Sequence, residues 1–178
     1  MIATVGGFTL FLALGVTLYA IAAALLGARQ GREDWLASGR NAVLAHFCLV
    51  TLAMFLLEYA LVTSDFSLRY VVNTSTRASL VRYKIAGLWG SLEGSILLWE
   101  WLQALLAVVV VARYSERQSA EGRVLMPYVQ AVLQGISAFF LLLMIVAVNP
   151  FTRSFPIPPD GRGLNPLLEV TDMLVHPL

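Results

Sequence analysis

Two histidines, three glutamates set in or beside apolar runs, and a knot of tryptophans are the residues of this chain whose types and spacing bear on chemistry. His176 stands before Pro177, which pushes its backbone out of the helical region. Asn165-Pro166 reads as N-cap and first residue of a short helix, with Leu167, Val170 and Leu174 on one face. The imidazole thus sits at the end of a short element on a membrane surface, as a metal ligand or as an exposed side chain at a frayed end. His46 lies within the apolar run 42–62, one turn from its start. It reads either as a ligand in need of a partner or as a hydrogen-bonding group between helices. Glu58 is near the end of the same run, Glu93 lies between Gly90 and Gly94, and Glu100 is about one turn into the next run. Charge in such a place is costly and marks a site or a buried pair. Lys84, Arg82 and Arg77 are the candidate partners for Glu93 and Glu100, and a salt bridge and a proton relay both remain open. Trp89, Trp99 and Trp101 surround these acids as an interfacial aromatic belt would.

What must position these residues is a set of membrane helices. The 178 residues are 58% hydrophobic and only 13% charged, whereas a soluble domain is about half apolar and about a quarter charged. An ordinary soluble enzyme and a disordered chain are excluded, and a net charge of +1 gives no argument for nucleic acid. The single cysteine, Cys48, allows no intrachain disulfide and reads as a small hydrophobe in its apolar run. Four apolar runs, at about 5–28, 42–62, 95–112 and 127–148, are each about long enough to cross a bilayer. The first is too long for a signal peptide and lacks a basic flank before it. Pro127 suits the first turn of the fourth helix, and Asn149-Pro150 stops it. Backbone groups in lipid must be satisfied internally, and no alternation of period two supports a barrel, so the runs are helices.

Loop charge sets the direction. Arg29, Arg32, Arg40, Arg113, Arg117 and Arg123 crowd two short loops, while the same number of basic residues on the other side is spread over long segments. The positive-inside rule weights short loops, which places 29–40 and 113–123 in the cytoplasm and both termini outside. Two longer segments then face outward, the loop 64–94 and the proline-rich stretch 149–178. Long loops tend to carry function.

Trp89-Gly90-Ser91-Leu92-Glu93-Gly94-Ser95, followed by Leu97-Leu98-Trp99, resembles the WGxxEGS-LLW block of CcmF-type cytochrome c haem lyases. So do Asn149-Pro150-Phe151, the run Gly161-Arg162-Gly163-Leu164-Asn165-Pro166-Leu167-Leu168, and the ending Val175-His176-Pro177. The related NrfE branch shares these blocks. Two positions depart from the pattern: Leu92 stands where the family often has histidine, and Leu178 where it has a second proline. Family members run to several hundred residues, so the resemblance implies one piece of a split lyase or the first part of a longer chain.

The resemblance implies a multi-pass protein of the bacterial inner membrane that works on its outer, periplasmic face. It implies a lyase that accepts haem from a CcmE-type chaperone and joins it to the CxxCH thiols of apocytochrome c presented with a CcmH-type protein. His176 matches the first of two histidines that flank the family's tryptophan-rich segment and ligate the iron of the substrate haem. A resident b-type haem takes its histidines from later helices, outside this chain, and the fragment alone is expected to be inactive. Catalytic residues are not assigned; Glu93, Glu100 and Trp89 are structural or relay candidates. Two other classes fit the hydropathy: a membrane anchor subunit without ligand, and a fragment of a proton-coupled transporter carrying protons on Glu58, Glu93 and Glu100.

Overall fold

A computed structural model describes residues 1–114 and 120–164, with side chains from 114 to 123 left aside. His176, the short interfacial helix expected after Asn165, and the loop around Arg117 lie outside the described residues. The described chain is helical: α1 (Ile2–Gln30), α2 (Glu33–Val62), α3 (Arg69–Thr74), α4 (Val81–Ala86), α5 (Leu92–Tyr114) and α6 (Ala120–Val146). Four of these, α1, α2, α5 and α6, are long and apolar enough to cross a membrane. They correspond in order to the four apolar runs, and no strand forms among the described residues beyond an isolated bridge between Leu68 and Arg153.

The helices are longer than the apolar runs, and two expectations change with them. The connection expected at 29–40 shrinks to Gly31 and Arg32. Gly31 has φ 64°, and the Arg32 amide donates to the Gly27 carbonyl at 3.0 Å, the left-handed helix stop that favours glycine. α2 then starts at once with Glu33 and Asp34 in its first turn, where the helix dipole favours acids. Likewise α6 begins at Ala120 and runs through Pro127 instead of starting there. A proline inside a membrane helix is tolerated because neighbouring groups re-satisfy the freed carbonyl. At its other end α6 stops where expected: Asn149 accepts from the Phe151 amide at 2.9 Å through its side chain, and its carbonyl accepts from the Thr152 hydroxyl at 2.8 Å.

The chain divides into two compact units, to which each long helix contributes a part. The first comprises residues 1–8, 52–98 and 143–164 of the described chain, with both short helices in it. The second, residues 9–51 and 99–142, consists of helix segments alone apart from the short connections. Its core is Ala20, Ala42, Val43, Ala107 and Val111, with Val16 and Leu133 against it. Small residues let membrane helices approach closely where no hydrophobic effect draws them together. Leu18, Leu44, Val109 and Phe139 are exposed on these helices, as lipid-facing side chains would be.

Candidate functional site

In the first unit the two long loop segments are woven into one layer. The Arg69 amide donates to the Thr152 carbonyl at 2.9 Å, and the Ser154 amide to the Ser67 carbonyl at 2.8 Å. Farther on, the Arg162 amide donates to the Val72 carbonyl at 2.7 Å. Asp160 closes the layer by accepting from the amides of Arg77, at 2.9 Å, and Gly161, at 2.7 Å. These two bonds hold its carboxyl below the usual carboxylate range. Phe66, Phe151 and Leu164 are buried. The Gly6 backbone is so close to the Phe151 ring that any side chain there would collide with it.

The block around Glu93 is built on Tyr70. This buried tyrosine's hydroxyl lies 2.7 Å from the Gly87 carbonyl and 2.9 Å from that of Leu88, and burial first, then Glu93, pushes its pKa upward. It therefore stays a hydrogen-bond donor at physiological pH. The Ser95 hydroxyl donates to the Trp89 carbonyl at 3.0 Å, tying the turn to the first coil of α5. Glu93 lies in the first turn of α5, partly buried, and accepts from the Ser91 hydroxyl at 2.9 Å. Gly94 is demanded by packing: a Cβ there would overlap the Leu88 carbonyl and the Tyr70 hydroxyl. Gly94→Ala is expected to cost about 1–3 kcal/mol, the usual range for overpacking. Gly15→Ala is its control, because nothing lies within 4 Å of a Cβ at that position. The thermal stability of the purified membrane protein should fall for the first variant and hold for the second.

The expected cationic partners of Glu93 and Glu100 are engaged elsewhere. The Lys84 ammonium, almost buried, donates to the Ser64 hydroxyl at 2.7 Å. Arg77 donates through Nε to the Pro159 carbonyl at 3.0 Å, and the Arg82 guanidinium lies over the Tyr83 ring. Glu100 pairs instead with His46: Nε2 is 2.8 Å from Oε1, and both side chains are 0% exposed. The reason lies in helix length. Because α2 starts at Glu33, His46 is near the middle of a 30-residue helix, not one turn from its end. Neither residue belongs to the loop layer; both lie in the second unit. Of the tryptophans, Trp89 is partly buried in the layer, Trp99 is 62% exposed, and Trp101 donates from Nε1 to the Thr51 hydroxyl at 3.0 Å. Glu58 keeps both carboxylate oxygens buried without a protein partner among the described residues.

No protein-family model matches the chain. The cytochrome c-type biogenesis protein CcmF of Haemophilus influenzae is 37% identical over 99% of the chain, and the ccl1 protein of Rhodobacter capsulatus is 38% identical over the same share. Over nearly its whole length, the chain is similar to CcmF proteins. It spans only about a quarter of these relatives, 27% and 26% of their lengths. The probable NrfE protein of Escherichia coli is 37% identical over 76% of the chain. A solved structure titled cytochrome c heme lyase CcmF superposes with a TM-score of 0.73 at 34% identity, covering 85% of this chain and 25% of that one.

The described blocks of CcmF resemblance lie in this layer and at the start of α5. Trp89, Ser91, Glu93, Gly94 and Ser95 shape the turn into α5, Asn149 to Phe151 form the turn after α6, and Arg162 bonds to α3. Gly161 is a second close approach, where a Cβ would overlap the Ser75 carbonyl. Reading the sequence did not single out Tyr70, Ser64 or Asp160. Only the glycines on either side of Glu93 hinted that something large approached the backbone there.

Proposed function

We propose that this chain is part of a cytochrome c haem lyase of a bacterial inner membrane, either one piece of a split enzyme or a portion of a longer chain. The observation that carries the reading is 37% identity to a CcmF protein over nearly the whole chain, with described motif residues such as Trp89, Ser95 and Arg162 bonded within the loop layer. Haem is the substrate. In the reaction each thiol S–H of a CxxCH motif adds across a haem vinyl C=C, forming a thioether with nothing released. That is a task of proximity and register more than of acid–base power.

The ligand expected to receive the iron is not among the described residues. Among those residues His46 is buried against Glu100, and no group of three or more metal-ligating side chains forms. The substrate haem would be met by His176, outside the described residues, and a resident b-type haem would take its ligands from beyond this chain. The described layer would act as a fixed base for the segment that precedes residue 165, pinned by Asp160, Arg162 and Gly163. A CcmE-type chaperone, a CcmH-type protein and apocytochrome c would meet it on the periplasmic side.

Two measurements test this reading. A strain lacking this chain should fail to mature c-type cytochromes and recover when it is resupplied; normal maturation without it would refute the lyase assignment. Orientation is tested by cysteines placed at Ser115 and at Phe155, the latter 96% exposed. An impermeant thiol reagent applied from the periplasm should label only the second, and labelling of both or of Ser115 alone would reverse or break the assignment.

A further inference from the structure

The second unit places polar side chains from all four of its helices in an interior made mostly of alanine, valine and leucine. Thr17 of α1, His46 of α2, Glu100 of α5, and Gln134 and Ser137 of α6 are all 0% exposed. His46 and Glu100 meet at 2.8 Å. Ser137 neighbours the Glu100 carboxylate without a hydrogen bond of good geometry to it. Gln130, one turn before Gln134, donates to the Ala20 carbonyl at 3.4 Å. Along the chain, Gln134 is one turn from both Gln130 and Ser137 on α6, and Thr17 is one turn from Ala20 on α1.

What sets this group apart is how few of its atoms are paired. His46 Nδ1, Glu100 Oε2, both amide atoms of Gln134, Ser137 Oγ and Thr17 Oγ1 have no hydrogen-bond partner among the described residues. A pair kept only to lock helices together would have its remaining atoms satisfied, or would be replaced by apolar side chains at little or no cost. Buried polar atoms without protein partners are ordinarily met by water, which makes two to four hydrogen bonds. Among the described residues no charged side chain of α1 or α6 is paired with the two residues: Thr17, Gln134 and Ser137 bring hydroxyls and an amide.

We propose that the second unit binds ordered water in the membrane interior around Thr17, Gln134 and Ser137, and that this water exchanges a proton with the His46–Glu100 pair. The chemistry is a reversible proton transfer and nothing more. Hydronium gives a proton to Nδ1 of neutral His46, and the Nε2 proton can pass to Oε1 of the carboxylate. The pair goes from one net negative charge to none, and water is left behind. Release to water is the reverse, with only O–H and N–H bonds changed. The ligand class is water and its proton, and the inference does not depend on the lyase reading.

Isotope-edited infrared spectroscopy of the intact membrane protein in lipid vesicles tests it, with glutamate and histidine side chains labelled. Bands of the pair, identified by their loss in Glu100→Gln and their shift in His46→Gln, should move when water is replaced by D2O. The Gln134→Leu, Ser137→Ala double variant should keep the bands but slow that exchange by roughly tenfold, the effect of losing about one hydrogen bond on the path. Pair bands that stay unshifted in D2O, or exchange that is equally fast in the double variant, would overturn the proposal. If Glu100→Gln does not accumulate, His46→Gln identifies the bands by itself, and the double variant still decides. None of these readouts involves haem attachment, so their failure would leave the lyase assignment standing.

Discussion

Replacing His176 with alanine is expected to abolish or strongly reduce cytochrome c maturation while the membrane protein still accumulates. The reading rests on three features. Of the chain's two histidines, the other, His46, is sealed against Glu100. His176 is followed by Pro177, and a residue before proline disfavours the helical region. It also follows a segment whose first residues are tied to α3 by main-chain bonds from Arg162 and Gly163. An axial ligand sets where the iron sits, and a small misplacement of the vinyl groups relative to two thiols is enough to stop addition. Surface substitutions away from a packed site usually change stability by less than about 0.5 kcal/mol, so loss of activity should not be loss of protein. Covalent haem on the cytochrome, normalised to the amount of lyase in the membrane, is the measurement. Added imidazole should restore part of the activity by occupying the vacated coordination position. Maturation at the wild-type rate in His176→Ala would make the residue a bystander.

The four membrane helices were legible because apolar runs of about twenty residues leave few alternatives. Their ends were not. Glu33, Asp34 and Arg40 look like a polar loop, yet a glycine stop at Gly31 reverses the chain in two residues and the charges ride on the first turns of α2. That shift hid the central pair. With His46 thought to lie near an interface, arginines and a lysine from the loop looked like the partners of Glu100, and the buried histidine did not. The short helices α3 and α4 have six residues each, too few for a helical period to show in the sequence. Tyr70 escaped notice for another reason: its role follows from where Gly87, Leu88 and Gly94 are brought, which no spacing along the chain encodes. By contrast the motif glycines were readable, since a glycine run beside an acid suggests close backbone approach.

Breaking the His46–Glu100 pair from one side should destabilise the protein far more than removing both partners together. His46→Leu leaves a carboxyl group with no partner in an interior built of alanine and valine, and removal of one member of a buried pair typically costs about 3–5 kcal/mol. Glu100→Leu strands the imidazole in the same way. The double leucine variant removes both desolvated groups and adds apolar contact, so it should recover much of the stability lost in either single change. Glu100→Gln should be milder than Glu100→Leu, because the amide can still hydrogen-bond to Nε2. Thermal unfolding of the detergent-purified protein, with membrane yield as a second readout, measures all four variants. The decisive quantity is the coupling between the two single changes. If the losses simply add, the 2.8 Å contact contributes nothing to holding α2 against α5. If the double variant is instead the more stable protein, the pair is present at a cost to stability. That outcome would mean the pair is retained for something other than stability.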